Sequence, residues 1–310
     1  MRILMLGAGG VGGYFGGRLA EAGLDVSFLV RPRRRAQLAE KGLIVKSSFG
    51  DIAMPVTAIG PEDIDAPFDL VLLSCKAYDL DDAMDSIAPA MGPDSAVLTL
   101  INGLRQVEVL QARFGKNSVL GGLCFVGASL DPATGVIGHF GPAHRIPFGE
   151  LDGSVTPRAE AVGALNDKVK FDLELRADIV PAMWDKCAGQ GSLSSANVLT
   201  RSVVGDITAV PSGRAFLEAV LAEGQSVCAA YGYPMSQTTT DFYVKLFDTP
   251  GSPFATSMLR DVEDGKPTEG AHIVGDLVDR AEAKGIDTPI LRCARTALEV
   301  YEAKRLKAAV

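Results

Sequence analysis

The sequence predicts an α/β protein in which a doubly wound, mainly parallel sheet is followed by an all-helical C-terminal domain. Short apolar runs alternate with helix-like segments in the first half of the chain, and this alternation is typical of a parallel sheet with helices on both faces. A glycine-rich turn directly follows the first apolar run. From about Asp178 onward, long segments of helical periodicity replace the alternation. We therefore predict two domains, at residues 1–177 and 178–310.

The alternation gives the elements in order. Strands are predicted at residues 2–6, 26–30, 68–75 and 96–101, and further strand-like segments, some of them antiparallel, at 118–126, 136–140 and 169–173. Helices are predicted at 14–22, 80–90, 215–231, 272–284 and 289–307. Open α/β sheets bind ligands outside the carboxyl ends of their strands. The residues that directly follow the strands are therefore the first candidates for a site.

The composition narrows the class of protein. The formal net charge of −8 argues against a general nucleic-acid binder, because binding phosphates needs a basic surface. The five cysteines form no C-x-x-C pair, so we expect neither a zinc site nor a disulfide framework. The N-terminus lacks a signal-peptide pattern, and no apolar run reaches the roughly 20 residues of a membrane span. We expect a cytoplasmic protein without a metal site or a membrane partner.

The glycine-rich turn predicts a dinucleotide site of the Rossmann type. Gly7, Gly9 and Gly12 have the G-x-G-x-x-G spacing between a predicted strand and a helix. Glycines there permit a tight turn and close approach of a pyrophosphate, while the helix N-terminus offers N–H groups to the phosphates. A turn with a purely structural role would show the same glycines. The residues expected to bind the cofactor are Gly7, Ala8, Gly9, Gly10, Val11 and Gly12.

The end of the second strand favours NADP(H). An NAD site usually has an acidic residue here to bind the ribose 2′-hydroxyl. This chain instead has Arg31, followed by Arg33, Arg34 and Arg35, where a 2′-phosphate would lie. A solvated basic loop is the alternative explanation, chiefly for the last three arginines.

Several motifs, in order and over nearly the whole chain, resemble those of the ketopantoate reductase (2-dehydropantoate 2-reductase) family. They are GAGGVG, Arg31, SCKAYD, LINGL, MWDK and TSMLRD followed by PTE. The resemblance implies a Rossmann domain followed by a helical domain like the C-terminal domain of 6-phosphogluconate dehydrogenase, with the active site in the cleft between them. It also implies reduction of a small-molecule 2-oxo acid by NADPH, as in the conversion of ketopantoate to pantoate in pantothenate biosynthesis. A homodimer formed through the helical domain is compatible with this analogy.

The resemblance assigns Lys186 as the general acid and Glu269 as the residue that assists it. The chemistry agrees, because hydride delivery to a ketone builds negative charge on oxygen that a nearby acid must quench. Lys186, Gln190 and Asn197 would share one helical face, with Ser194 somewhat to its side. From sequence alone, Lys186 could equally be a surface lysine whose stem packs on apolar neighbours.

The remaining candidates bind cofactor or substrate by resemblance. Lys76 and Asn102 follow two predicted strands, although Lys76 could be a plain surface charge and Asn102 only a turn former. Ser257 matches a substrate-binding serine, and Asp261 would share its helical face. The alternative is that Ser257 caps a helix and that Asp261 and Glu269 belong to a solvated acidic patch.

The match is poorest where the substrate would be recognised. Family members carry asparagines at the positions of Gln190 and Ser194, and further polar pocket positions fall near Val204 and Phe254. The segment GAHIVG, residues 270–275, also departs from the family pattern after the glutamate. Several hydrogen-bonding groups have thus become apolar or changed length, so we expect a different, less hydroxylated 2-oxo acid or ketone.

Two other functions remain open. A 3-hydroxyacid dehydrogenase of the related two-domain type also uses a helix lysine, but commonly has an asparagine where this chain has Gln190. An NADPH-sensing regulatory protein would bind the cofactor without turnover, and would need neither Lys186 nor Glu269. The three histidines, His139 and His144 in the segment GHFGPAH and the distant His272, are not expected to be catalytic.

Overall fold

The computed structural model describes residues 1–308, which form two compact units. The sheet unit comprises Met1–Asn102 and Gln106–Val180, and the helical unit comprises Gly103–Arg105 and the described residues from 181 to 308. The predicted fold class, an α/β domain followed by a helical one, is confirmed. Within residues 1–308, none of the helices is both long and apolar enough to cross a lipid bilayer.

The sheet of the described residues has 11 strands. They are β1 Arg2–Leu6, β2 Asp25–Leu29, β3 Leu43–Lys46, β4 Ile52–Met54, β5 Thr57–Ile59, β6 Leu70–Leu73, β7 Ala96–Thr99, β8 Val119–Gly122, β9 Phe125–Leu130, β10 Val136–Glu150 and β11 Asp172–Leu175. The main path through the sheet runs β4-β3-β10-β8-β7-β6-β1-β2-β5, and β9 and β11 both pair with β10.

The α-helices follow in chain order. They are α1 Gly10–Glu21, α2 Pro32–Lys41, α3 Leu80–Ile87, α4 Arg105–Phe114, α5 Pro157–Gly163, α6 Ile179–Thr200, α7 Val204–Thr208, α8 Gly213–Ala230, α9 Gln237–Phe247, α10 Ser257–Glu263, α11 Asp276–Ala283 and α12 Pro289–Ala308. A π-helical turn at Ala271–Gly275 directly precedes α11.

The centre of the sheet is parallel and carries its order reversal between β1 and β6. The pairs β1–β2, β1–β6, β6–β7 and β7–β8 are all parallel, whereas β10 runs antiparallel to β8 and to β9. Strands β6, β7 and β8 are buried along their whole length, as expected for parallel strands covered on both faces. Ligands of such sheets bind at the carboxyl ends of the strands, next to the reversal.

In the helical unit, α6 is buried along most of its length, and small residues bring its neighbours close. A Cβ added to Gly191 would lie 2.3 Å from Leu277 of α11, and one added to Gly224 of α8 would lie 2.3 Å from the Ser192 hydroxyl. On the side of Gly189, an added Cβ would lie 2.2 Å from the Tyr243 ring of α9. Helix α6 is therefore packed between three helices. Packing this close leaves α6 little room to shift.

Two predicted segments differ from the structure. The arginine-rich segment after β2, for which a solvated basic loop was the alternative explanation, begins helix α2, in which Pro32 occupies the first turn. The single strand predicted at residues 118–126 is in fact two strands, β8 and β9. The short strands β3, β4 and β5 and the helices α2, α4, α5, α7 and α9 were not predicted from the sequence.

A cluster of aromatic rings and histidines connects α1 with β10 in the sheet unit. The Tyr14 hydroxyl lies 3.1 Å from Nδ1 of His144, and the Phe49 ring stacks on His144 with centroids 3.8 Å apart. The ring of His139 lies 4.3 Å from that of Tyr14. The fully buried Arg18 guanidinium lies 5.3 Å from the Tyr14 ring centroid. Burial is the largest effect on His144 and lowers its pKa. Asp172 opposes this effect, and the nearby His139 and Arg18 lower the pKa further.

We expect this cluster to make folding stability pH-dependent below the ordinary histidine pKa of about 6.5. Because the folded pKa of His144 is lowered, the unfolded chain takes up a proton first. Its contribution to stability is complete above about pH 6.5 and is lost as the pH falls below that value. The urea midpoint should fall more between pH 7.5 and 5.5 for the parent than for His144→Asn, which keeps a hydrogen-bonding group near Tyr14. Equal pH slopes for the two proteins would contradict this expectation.

Candidate active site

The candidate cofactor residues of the sheet unit follow strands that end at the same edge. In the parallel ladders, Leu6 is paired with both Leu29 and Leu73, and Leu73 with Thr99. Gly7, Arg31, Lys76 and Asn102 follow these strand ends at short distances in the chain. The parallel register thus collects the predicted residues of four separate segments at the edge where α/β proteins bind ligands.

Glycine is required at three positions of the turn, Gly7, Gly10 and Gly12, for different structural reasons. Gly7 has a φ of 91°, and its N–H donates to the Leu29 carbonyl at 2.9 Å. A Cβ on Gly12 would lie 2.4 Å from the Gly7 carbonyl oxygen, and one on Gly10 would lie 2.4 Å from the Ala128 carbonyl oxygen. These contacts require glycine for the fold itself.

Gly9 is different, because the described residues leave open space beside it. It is the N-cap of α1 with a φ of −80°, and an added Cβ would meet nothing within 4 Å. The first turn of α1 contains no acidic side chain, so its N–H groups and partial positive charge are available to an anion. The fold therefore does not need glycine at position 9, whereas a pyrophosphate lying against the turn would.

Each of the four arginines after β2 has a protein partner. Arg31 is exposed and donates to Asp79 at 2.9 Å. Arg33 donates to the Pro132 carbonyl at 3.2 Å, and Arg35 pairs with Glu62 and Asp63 at 2.9 and 2.8 Å.

Arg34 is turned inward and supports the glycine turn. Its Nε donates to the Ala8 carbonyl at 3.0 Å, and its Nη1 donates to the Gly135 carbonyl at 3.1 Å. Burial lowers its pKa. The alternative of a solvated basic loop is thus wrong for Arg34. Arg31 remains the arginine that is exposed directly after the strand.

Lys76 and Asn102 lie in tight turns after β6 and β7. Lys76 precedes a short 3₁₀ turn, Ala77–Asp79, and its carbonyl accepts the Asp79 N–H at 2.9 Å. Asn102 is half-buried, and Gly103 after it has a φ of 99°, a conformation that favours glycine. The buried Gln106 side chain donates to the Ile101 carbonyl at 3.0 Å and so fixes this turn.

Ser74 is a supporting residue that the sequence did not reveal. Its hydroxyl donates to the Leu6 carbonyl at 2.7 Å, joining the ends of β6 and β1. The same oxygen would lie 2.2 Å from a Cβ on Gly12. Ser74 thus fills the space that the third glycine of the motif leaves. Its place inside SCKAYD, directly before Cys75 and Lys76, was the available indication.

Lys186 lies in the first half of α6, where it is half-buried. Asp185, the other charged residue of this helix, is directed elsewhere. Its carboxylate accepts the Ser236 N–H at 2.9 Å and the Thr239 hydroxyl at 2.9 Å, and it also accepts the Ser236 hydroxyl. Asp185 therefore stabilises the start of α9. The pattern of residues along α6 does not indicate this role.

The predicted polar face of α6 divides into two parts. Gln190 is half-buried like Lys186, whereas Ser194 and Asn197 have no exposed surface. The Asn197 amide donates to the Ser202 carbonyl at 2.8 Å and accepts the Thr256 N–H at 3.1 Å. Asn197 is thus a structural residue that ties α6 to the segment before α10. Ser194 Oγ is fully buried without a hydrogen-bond partner among the described residues.

Glu269 belongs to a buried acidic cluster near α6. It is 5% exposed, as is Asp276, which accepts from Arg280 Nε at 2.7 Å. Both carboxylates act on His272, yet burial is the largest effect and lowers the histidine pKa. Burial, and to a lesser degree Asp276, raise the pKa of the Cys187 thiol, next to Lys186 in the chain. The notion of a solvated acidic patch is thus wrong for Glu269.

Ser257 and Asp261 both belong to α10. Thr256, not Ser257, is the N-cap of this helix, so the alternative role of Ser257 as a capping residue is wrong. Both residues are half-buried. The Asp261 carbonyl accepts the Lys266 N–H at 2.8 Å, which closes the turn after the helix.

Comparison with known proteins matches both parts of the chain to one family. Residues 3–153 match the model described as ketopantoate reductase PanE/ApbA, and residues 178–302 match that of its C-terminal domain. The uncharacterized oxidoreductase YkpB of Bacillus subtilis is 34% identical over 305 residues, covering 98% of this chain and 100% of that protein.

Solved structures agree with this match. A crystal structure of 2-dehydropantoate 2-reductase from Geobacter metallireducens has a TM-score of 0.87 and 30% identity, covering 96% of this chain and 99% of that one. A ternary structure of D-mandelate dehydrogenase with NADH and anilino(oxo)acetate has a TM-score of 0.85, with coverage of 98% and 99%. At 18% identity, this last similarity concerns the fold alone.

Proposed function

This chain belongs to the ketopantoate reductase family and is an oxidoreductase that uses NAD(P)H, and from this premise we propose that it reduces the carbonyl of a 2-oxo acid to a hydroxyl with NADPH. The observation that carries the proposal is the half-buried Lys186 on α6. The only other charged side chain of that helix, Asp185, is engaged by Ser236 and Thr239. A half-buried ammonium group on this helix is suited to meet a negative charge that develops on oxygen.

The residues of the sheet unit fit a dinucleotide. The open space beside Gly9 and the absence of acid from the first turn of α1 suit a pyrophosphate, and the exposed Arg31 suits a 2′-phosphate. When bound, the reduced nicotinamide supplies a hydride to the carbonyl carbon. Lys76 and Asn102, in the turns after β6 and β7, are proposed to contact the cofactor, and Asn102 also the substrate.

In the proposed mechanism, Lys186 Nζ donates a proton to the carbonyl oxygen as the carbon is reduced. The products are the 2-hydroxy acid and NADP⁺, and Lys186 recovers its proton from solvent. Glu269 assists by favouring the protonated ammonium before the reaction. The substrate is proposed to be bound by Gln190, Ser194, Ser257 and Asp261. Because Ser194 is fully buried, its hydroxyl could bind only a substrate group that enters the interior of the helical unit.

Arg31→Ala should shift cofactor preference. Losing a charge-assisted hydrogen bond to phosphate costs about 1.5–3 kcal/mol, or roughly tenfold to a hundredfold in affinity. We expect the dissociation constant for NADPH to rise by this factor, while that for NADH changes less than about threefold, as measured by nicotinamide fluorescence. Asp79→Asn is the matched control, because it removes the negative charge beside Arg31 and leaves the guanidinium in place. Equal weakening of both cofactors by Arg31→Ala would refute the assignment.

The proposed function is tested by following NADPH and NADH oxidation over a panel of 2-oxo acids, ketopantoate included. Turnover of 2-oxo acids supports the reductase and, if ketopantoate is the best of them, also a role in pantothenate biosynthesis. Oxidation of 3-hydroxy acids with NADP⁺ and no reduction of 2-oxo acids would favour a 3-hydroxyacid dehydrogenase. Tight NADPH binding without turnover of any carbonyl would favour a sensor. Sedimentation analysis of the same preparation tests the proposed homodimer.

A further inference from the structure

Two aromatic side chains of the helical unit are exposed and touch each other. Phe242 of α9 is 51% exposed and Phe254, before α10, is 42% exposed. Their rings meet edge to face, with centroids 6.3 Å apart and an interplanar angle of 75°. We call Phe242 and Phe254 the aromatic pair. Two exposed aromatic rings in contact form a continuous apolar surface that a hydrocarbon group can cover.

The backbone around Phe254 is held firmly. Its carbonyl accepts the Val204 N–H at 3.0 Å, and its own N–H donates to the Ser252 hydroxyl at 3.4 Å. The Ser252 carbonyl in turn accepts the Gly205 N–H at 2.8 Å. Val204 and Phe254, near which the resemblance places polar pocket positions, are thus joined by a backbone hydrogen bond. The side chain of Phe254 is presented by a fixed segment.

The two segments that carry the aromatic pair both contact α6, the helix that carries Lys186. Tyr243, which follows Phe242 in α9, packs on Gly189, the neighbour of Gln190 on α6. On the other side, the Thr256 N–H is bound by Asn197 of α6, and Ser257 follows. The segments that carry the pair are therefore both anchored on the helix that carries Lys186.

We propose that the aromatic pair is the subsite for the substrate side chain, and that the preferred substrate is a 2-oxo acid with a hydrocarbon side chain, branched or aromatic. The inference rests on the proposed reductase function. Aromatic faces and edges bind hydrocarbon groups well but offer no partner to a hydroxyl. A substrate hydroxyl left unpaired against them loses roughly tenfold to a hundredfold in affinity.

The sharpest test compares ketopantoate with trimethylpyruvate, which is ketopantoate without its hydroxyl. We expect the parent enzyme to have a kcat/KM at least about tenfold higher for trimethylpyruvate and for phenylpyruvate than for ketopantoate. Phe254→Asn should reduce this ratio by about tenfold, whereas Phe254→Leu should retain it. For pyruvate, whose side chain is only a methyl group, Phe254→Asn should lower kcat/KM less than it does for trimethylpyruvate.

Val210→Asn is the matched control, because Val210 is an exposed apolar residue of the same unit, at 51% exposure, outside the pair. It should leave all the ratios unchanged. A readout without turnover is the shift in melting temperature produced by anilino(oxo)acetate compared with oxamate, which should shrink in Phe254→Asn and Phe242→Ala.

The outcomes separate the two proposals. If no 2-oxo acid is reduced, the proposed function fails. If 2-oxo acids are reduced but ketopantoate matches or exceeds trimethylpyruvate, the reductase stands and the subsite is overturned. The subsite is also overturned if the Phe242 and Phe254 variants change only the oligomeric state and leave the ratios intact, because the pair would then be a contact between copies of the chain.

Discussion

Lys186→Ala is expected to lower kcat for 2-oxo acid reduction by about 10²–10⁴-fold, the usual range for removing a positioned general acid. The substrate oxygen would then have to take its proton from water, without an ammonium group to stabilise the developing charge. NADPH affinity should stay within about threefold of the parent, because the proposed cofactor residues belong to the sheet unit. Stopped-flow oxidation of NADPH at saturating substrate measures the chemical step directly.

Two further variants separate proton donation from charge. Lys186→Arg keeps a cation but not a readily lost proton, so it should restore substrate binding more than turnover. Asp185→Asn alters the neighbouring acid, which serves α9, and should affect stability more than kcat. Recovery of Lys186→Ala activity by added alkylamines would support proton donation. Activity of Lys186→Ala above about a tenth of the parent would exclude the mechanism.

Gly9→Ala should fold like the parent and yet bind NADPH at least about tenfold more weakly, or about 1.4 kcal/mol. The chain leaves free space for a Cβ at this position, and its φ of −80° is acceptable to alanine. The added methyl group would instead occupy the place of the pyrophosphate. Calorimetric titration with NADPH and thermal unfolding without it measure the two effects separately.

Gly12→Ala is the companion to Gly9→Ala. Its Cβ would overlap the Gly7 carbonyl and the Ser74 hydroxyl, at 2.4 and 2.2 Å, so α1 would have to move away from β1. Overpacking of this kind costs about 1–3 kcal/mol, and sometimes more. We therefore expect Gly12→Ala to lose both stability and NADPH binding. If Gly9→Ala bound NADPH as tightly as the parent, the turn would have a structural role only.

The sequence was most informative where structure is local. The β1–turn–α1 unit could be predicted because its strand, glycines and helix are adjacent in the chain. Helix α2 was not, since the polarity of its arginines resembles a loop and the contact of Arg34 with Ala8 is invisible in sequence. The strands β3, β4 and β5 are too short for periodicity to identify them.

For the site, helical periodicity located Lys186 and Gln190 but could not distinguish exposed from buried positions on a helix surrounded by others. Asn197 was placed with them, although its amide is used by Ser202 and Thr256. The contact within the aromatic pair could not be predicted, because Phe242 belongs to an unpredicted helix and meets Phe254 only in the folded chain. Such partners are set by tertiary packing, which a pattern along one segment does not contain.

The close contacts around α6 hold the proposed proton donor, Lys186, in place, whereas the proposed substrate-binding aromatic pair lies on other segments. Gly189 and Gly191 admit Tyr243 and Leu277 so closely that larger residues there would displace the helix and its lysine. Phe242 and Phe254, in contrast, are exposed and lie on other segments, so exchanging them would leave the packing of α6 intact. Mutation can therefore explore new substrate side chains without disturbing the proton donor. A scaffold of this kind allows substrate preference to diverge within a lineage while the reduction itself is inherited unchanged.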